Sequence, residues 1–381
     1  MINTLSESLY RLDILNRMQD RLTYQSSSKR KIDNGSDDSF VFTRQIYLED
    51  KISRYEGLKS QIEITSSQND TADTAVGSIK DKITLLKNEI SKALNGTEQE
   101  TSRETIAINV AGIKKSLLLF ANERSNGEYL FAGTDSSKPP FEQDPVTGEV
   151  TYTGSGYLKR LAIDEGSYSQ RGVSGFDLMM NTTQKALFGE KLTFTEGQRV
   201  IDNQGNEWTF DSSVPELVKN NENGPTNEKM PLTEVLPSTT PKTYETTNPI
   251  STQGQTLSAK ENIFDIVDDI MNALNQVDDT GASITKDEAD AILKAGLSKV
   301  NKAFDTVNKA HSDLGVRNKT FEVAHEKVSS KLTHYNILFT ETAGADLAKV
   351  AMESKALELT YTSLYSTINK MNQLSLVNFI N

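Results

Sequence analysis

Both ends of this chain carry apolar residues at coiled-coil spacing, which constrains its fold more than any other feature. Leu347, Val350, Leu357, Tyr361, Leu364, Ile368 and Met371 advance by steps of three and four, with Ser354 at the one polar stripe position. Ile2, Leu5, Leu9 and Leu12 do the same, and Leu15, Met18 and Leu22 continue after a shift of phase. Chain ends ordinarily fray. Here they hold some of the cleanest periodicity in the sequence. An exposed stripe of that length is an association hazard on a monomer, so each end must be covered by the other or by another subunit. For residues 2 to 22 and 347 to 376 the balance tips toward packing between subunits. Leu5, Leu9, Leu12, Leu357, Tyr361, Leu364, Ile368 and Met371 form the candidate assembly interface.

Composition removes several alternatives. The 381 residues suffice for two or three domains and a sizeable core. No apolar run is long enough to span a membrane. The first twenty residues lack the cationic start, continuous apolar segment and small-residue cleavage site of a secretory signal, so any export is expected to use another route. The absence of cysteine excludes disulfides, thiolate catalysis and cysteine-ligated metals. Fifty-three acidic against forty-one basic residues give a net charge of -12, which argues against a general nucleic-acid binder.

Between the ends the texture changes twice. Residues 25 to 40 read as a polar connector with an Asn34-Gly35 turn, and its Lys29-Arg30-Lys31 triplet as a solvated segment. Residues 42 to 94 read as long helix, with Ala72, Val76, Ile79, Ile83, Leu86, Ile90 and Ala93 on one face. Asn95-Gly96 ends it, and Thr97 with Glu100 can form a capping box for a second helix. That helix carries Ile106, Val110, Ile113, Leu117 and Phe120 and runs to Asn126-Gly127, giving a helical hairpin.

All nine prolines then fall between Pro139 and Pro249. Short strands are expected at Val150 to Tyr152, Leu192 to Phe194, Val200 to Asp202 and Trp208 to Phe210, and loop from Pro215 to Gln255. Helix resumes at Ser258, whose hydroxyl can pair with Glu261, and carries Ile263, Val267, Ile270 and Leu274. Thr285 with Glu288 caps the next helix, whose stripe runs from Ala289 through Leu314 to Phe339 before Gly344 interrupts it.

The expected fold is therefore mainly α: a long coiled-coil-like helical rod made by N- and C-terminal segments, with an inserted small β-rich domain. Its parts are an N-terminal helix and connector (1–40), the first half of the rod (41–127), the β-rich insertion (128–256), the second half of the rod (257–344) and a C-terminal helix (345–381).

Candidate chemistry is sparse. His311, His325 and His334 are not spaced to place two ligands on one helix face. His325 lies in an apolar stripe, as a packed or partner-facing side chain does. Asp278-Asp279-Thr280-Gly281 lacks the alternation of a calcium loop and reads as a turn. Asp268-Asp269 reads as a solvated face. No phosphate-binding glycine pattern follows a strand, and no catalytic residue, metal or cofactor is assigned.

At this point the residues resemble a known superfamily. Arg21-Leu22-Thr23 through Lys31-Ile32-Asp33-Asn34-Gly35-Ser36-Asp37-Asp38 is similar to the flagellin signature, as are Ser312-Asp313-Leu314-Gly315-Val316-Arg317 and the helix from Leu347 to Leu376. Asn126-Gly127-Glu128-Tyr129-Leu130-Phe131-Ala132-Gly133-Thr134 and Gly172-Val173-Ser174-Gly175 resemble the L-type hook-associated proteins within that superfamily. The resemblance implies a bacterial structural protein of the hook-filament junction, not an enzyme. It would self-associate into a junction ring, contacting the preceding hook-associated junction protein on one side and flagellin on the other. It also implies unfolded export through the flagellar type III apparatus with a chaperone on the C-terminal helix, and terminal helices that order on assembly. No nucleic acid or membrane is expected as a partner. The alternatives are a filament flagellin, a secreted enzyme on a helical stalk, and a coiled-coil signalling protein, against which the missing membrane span counts.

Overall fold

The apolar stripes fold as helices. The computed structural model describes the backbone of residues 2–95, 100–237 and 241–380, and the side chains of the same spans except 2–5, 8, 100–102 and 371–380. Seven helices are described: α1 (Ile2–Ser28), α2 (Ser39–Asn95), α3 (Glu100–Ala121), α4 (Gly175–Leu178), α5 (Ile263–Leu274), α6 (Lys286–Ala343) and α7 (Leu347–Ile380). None is long and apolar enough to cross a membrane. The chain divides into two compact units, residues 1–60 with 326–381, and residues 61–325.

In the first unit α1 lies against α7 and the start of α2 against the end of α6. Tyr55 stacks on Tyr335 with ring centroids 5.4 Å apart, and the Lys331 ammonium sits 5.2 Å from the Tyr55 ring.

In the second unit the stripes converge on one core. Val76, Ile79, Ile83, Leu86 and Ile90 of α2 meet Val110 and Leu117 of α3, Ile266 and Ile270 of α5, and Val300, Val307 and Leu314 of α6. Each fully buried branched side chain contributes about 1.5–3 kcal/mol. α2 and α6 run antiparallel, because Glu63 meets His325 at 3.2 Å while Asp73 meets His311 at 2.9 Å. Both histidines are thus partners of carboxylates across a helix pair. Among the described residues no group of three or more His, Asp or Glu is placed to hold a metal ion.

Two boundaries differ from the sequence reading. α3 ends at Ala121, and Asn126-Gly127, both with positive φ, form the turn between strands β1 (Arg124–Ser125) and β2 (Glu128–Tyr129). The signal read as a helix stop is a hairpin turn, in which two left-handed residues match the strand twist. Ser258 does not start a helix. It lies in a strand, and the cap of α5 is Asn262, whose side chain accepts from Phe264 N at 3.2 Å. The Thr97 to Glu100 box falls outside the described residues. Thr285 does cap α6, with Glu288 N reaching its hydroxyl and Thr285 N reaching Glu288 at 2.8 Å.

The inserted region continues with β3 (Phe141–Gln143), β4 (Val150–Tyr152), β5 (Arg160–Asp164) and β6 (Ser167–Gln170), paired as two hairpins. Then follow β7 (Met180–Ala186), β8 (Thr193–Thr195), β9 (Arg199–Asp202), β10 (Glu207–Asp211), β11 (Glu216–Asn221), β12 (Gly224–Glu234), β13 (Thr243–Thr246) and β14 (Leu257–Asn262). These eight form one antiparallel sheet in the order β7-β14-β9-β10-β11-β12-β13-β8. Every strand of it sends a side chain into a single core around Phe194, Trp208, Leu217 and Tyr244, so the sheet is close to a barrel.

The loop expected from Pro215 to Gln255 is mostly strand. β11, β12 and β13 escaped notice because their cross-strand pairs are polar, Lys219 with Glu228 at 3.0 Å and Lys229 with Glu216, and because Pro225 and Pro231 lie inside β12.

Candidate assembly surface

α1 and α7 are antiparallel partners. Leu22, Val350 and Leu357 are buried together, with Leu15, Ala345 and Tyr361 packed at the edge. Arg21 lies 3.5 Å from Glu353, and Tyr361 Oη donates to Asn16 Oδ1 at 2.7 Å. Each helix therefore covers part of the other's stripe.

The cover is incomplete. Leu9 is 57% exposed, and Tyr10, Ile14 and Met18 on α1 and Met352, Leu359 and Tyr365 on α7 are also exposed. An open groove of about 760 Å³ runs between the two, with Ile14, Leu15, Met18, Leu359 and Leu364 as its apolar lining and Glu7 and Arg11 at its rim.

Of the eight residues singled out in the sequence, Leu357 is buried in the helix pair. Leu12, Tyr361, Leu364 and Ile368 are half-buried, and Leu9 is exposed. The side chains of Leu5 and Met371 lie outside the described residues. Sequence periodicity did not flag Met352 and Leu359, which fall off the stripe and are exposed on α7, Leu359 at the groove.

The connector locks the pair to the rest of its unit. Lys29, with φ 59°, turns the chain back so that Lys31 N donates to Ala343 O at 2.7 Å and Ala345 N to Lys29 O at 2.9 Å. The basic triplet is thus more than a solvated segment: its backbone forms a two-way bridge to the α6–α7 junction, and Arg30 pairs with Glu49 at 2.8 Å. The junction requires Gly344, because a Cβ there would stand 2.3 Å from Thr340 O.

In the second unit the separate stretches that carried the resemblance meet at one corner. Glu128 receives Lys159 at 2.6 Å and Arg171 at 2.9 Å. Burial opposes ionisation there, yet these two cations hold the carboxyl down at about 2. Gly175 N donates to Phe131 O at 2.9 Å, and the Arg317 guanidinium donates to Gly172 O.

The aspartates of α5 are likewise not a solvated face. Lys114 Nζ bonds both oxygens of Asp268 at 2.6 and 2.7 Å and Gly148 O at 2.8 Å, while Lys299 reaches Glu261 at 2.7 Å and Asp269 at 3.5 Å. Burial raises the carboxyls of Asp268 and Asp269 above their usual range.

With this geometry in place, comparison with known proteins gives three findings. Residues 2–136 match the bacterial flagellin N-terminal helical region. The flagellar hook-associated protein 3 of Salmonella typhimurium is 24% identical over 168 residues, 44% of this chain and 52% of that protein, and its Escherichia coli counterpart 22% over 164 residues, 43% and 50%. The chain thus aligns with about half the length of these curated relatives. The crystal structure of flagellar hook associated protein-3 from Legionella pneumophila shares the fold, with a TM-score of 0.51 at 16% identity over 77% of this chain and 98% of that one.

Proposed function

We propose that this chain, which belongs to the flagellin superfamily, is a non-enzymatic structural subunit of the bacterial flagellum at the junction of hook and filament. The observation that carries the reading is the α1–α7 pair, whose stripes cover one another on one side and leave an apolar groove and outer face open on the other. Copies that stack bury those faces, and the apolar area removed from water drives the stacking. Likeness to the two hook-associated proteins 3 supports the junction over the filament shaft.

In this reading Leu5, Leu9, Leu12, Leu357, Tyr361, Leu364, Ile368 and Met371 serve the contacts within a ring of copies. They also serve contacts to the preceding hook-associated junction protein and to the first flagellins. Before assembly the C-terminal helix is held by an export chaperone of the type III apparatus.

Deleting the gene tests the proposal. Flagellin secreted into the medium with no filament attached supports a junction subunit. Cells that keep firmly attached filaments sink it, and loss of the filament polymer itself points to a filament flagellin instead.

A further inference from the structure

The second unit contains a polar cleft of about 540 Å³ bordered by the β5–β6 hairpin, the β7–β14 face of the sheet and α6. Five cationic side chains line it: Arg160, Lys185, Lys260, Lys309 and Arg317. That convergence is unusual on a chain with a net charge of -12.

Three of the five, Arg160, Lys185 and Lys309, have no carboxylate within ion-pair reach among the described residues. Lys260 is the unusual member. It is only 8% exposed, one of its three donors reaches Phe176 O at 2.7 Å, and its nearest carboxylate, Asp177, stands at 3.7 Å. Burial lowers its pKa; the Asp177 charge opposes that in part, and the neighbouring Lys309 charge adds to it. A buried ammonium with spare donors beside like charge is costly to maintain unless an anion completes it. The cleft's own acids do not complete it. Asp202 is occupied by Asn206 and Gln204, Asp177 also accepts from the Ser174 hydroxyl at 2.9 Å, and Glu222, the third acid of the lining, forms no ion pair with any of the five cations.

We propose that this cleft binds an acidic saccharide, a hydroxylated ligand bearing a carboxylate or a phosphoryl group. The cations meet the charge, and Thr182, Ser258, Asn203 and Gln204 supply donors and acceptors for hydroxyl groups. The volume falls within the roughly 300–1,000 Å³ of small-ligand sites. The lining is mainly polar, with Leu158 and Ile201 as its aliphatic members, which disfavours an apolar peptide anchor, and the net negative charge of the chain repels long polyanions. The inference is independent of the hook-junction reading, since the cleft lies outside the terminal helices.

Titration calorimetry on the full chain with digalacturonate, glucose 6-phosphate and maltose tests it. Saturable binding of at least one acidic sugar is expected, with none for maltose, and the acid that binds identifies the charged group. Lys185→Glu and Lys309→Glu, both exposed substitutions, are each expected to weaken that binding at least about tenfold with an unchanged circular dichroism spectrum. No saturable binding of either acid up to about 10 mM, equal binding of maltose, or affinity indifferent to both charge reversals overturns the assignment.

Discussion

Tyr361 on α7 donates its phenolic hydrogen to the side chain of Asn16 on α1 at 2.7 Å, just where the buried contact between the two helices gives way to the open groove. Inward of this bond Leu22, Val350 and Leu357 are sheltered, and beyond it Leu12, Leu364 and Ile368 are half-buried while Leu9 and Tyr365 are exposed. Among the described residues three buried side chains are a thin seam for helices of 27 and 34 residues. We expect amide exchange of α1 and α7 in the dilute monomer to be fast relative to residues 72–90 of α2, and to slow on assembly. Equal protection of both in the monomer contradicts this.

Leu364 lines the groove and Ile368 lies one turn further on, both half-buried. Replacing both with Asp puts two charges where a neighbouring copy must exclude water, at a cost of several kcal/mol if they are buried unpaired. The double variant is expected to be made and to keep the near-ultraviolet signal of Trp208 in the sheet core, but not to enter the junction. Incorporation at the normal level removes the case for α7 as interface.

Glu128 gives a prediction with a defined sign. Its carboxyl is held at about 2 rather than 4.5, so the unfolded chain binds the extra proton between those values. The stabilisation is full above about 4.5 and is lost as pH falls through about 2. Glu128→Gln should cost about 1–2 kcal/mol at neutral pH, allowing for solvent screening of a partly exposed group, and nothing near pH 2. Denaturant melts at several pH values measure it, and a loss that does not vary with pH rejects the assignment.

How much was legible in the sequence follows from what each element buries. The stripes of α2, α3, α5 and α6 predict their helices because one face meets a common apolar core, and that face repeats every 3.6 residues. β11 and β12 hide because ladder hydrogen bonds and Lys–Glu pairs stabilise them with few apolar alternations. At the assembly surface Leu357 and Leu364 are legible from heptad spacing, while Met352 and Leu359 become visible only when α7 is seen with one side covered and the other bare. The aspartates of α5 look like solvent-facing charge because their partners Lys114 and Lys299 lie about 150 and 30 residues away, on other helices.

Asp265 supplies the opposite sign to Glu128 and the sharpest pH test. Burial, and then the charges of Glu149, Asp268, Asp269 and Glu261, raise its carboxyl from 3.8 to about 7. The nearby lysines are engaged elsewhere, Lys114 by Asp268 and Lys299 by Glu261 and Asp269. The folded chain therefore holds a proton between about 3.8 and about 7 that the unfolded chain has released. This group's contribution falls as pH rises through that window and stays at its lowest above it. Asp265→Asn keeps the shape without the charge, so it should stabilise the protein by on the order of 2 kcal/mol at pH 8 and lose that advantage as pH falls toward 4. A variant less stable than the parent at pH 8 would show that Asp265 is ionised and paired there, against the crowding of carboxylates at the start of α5.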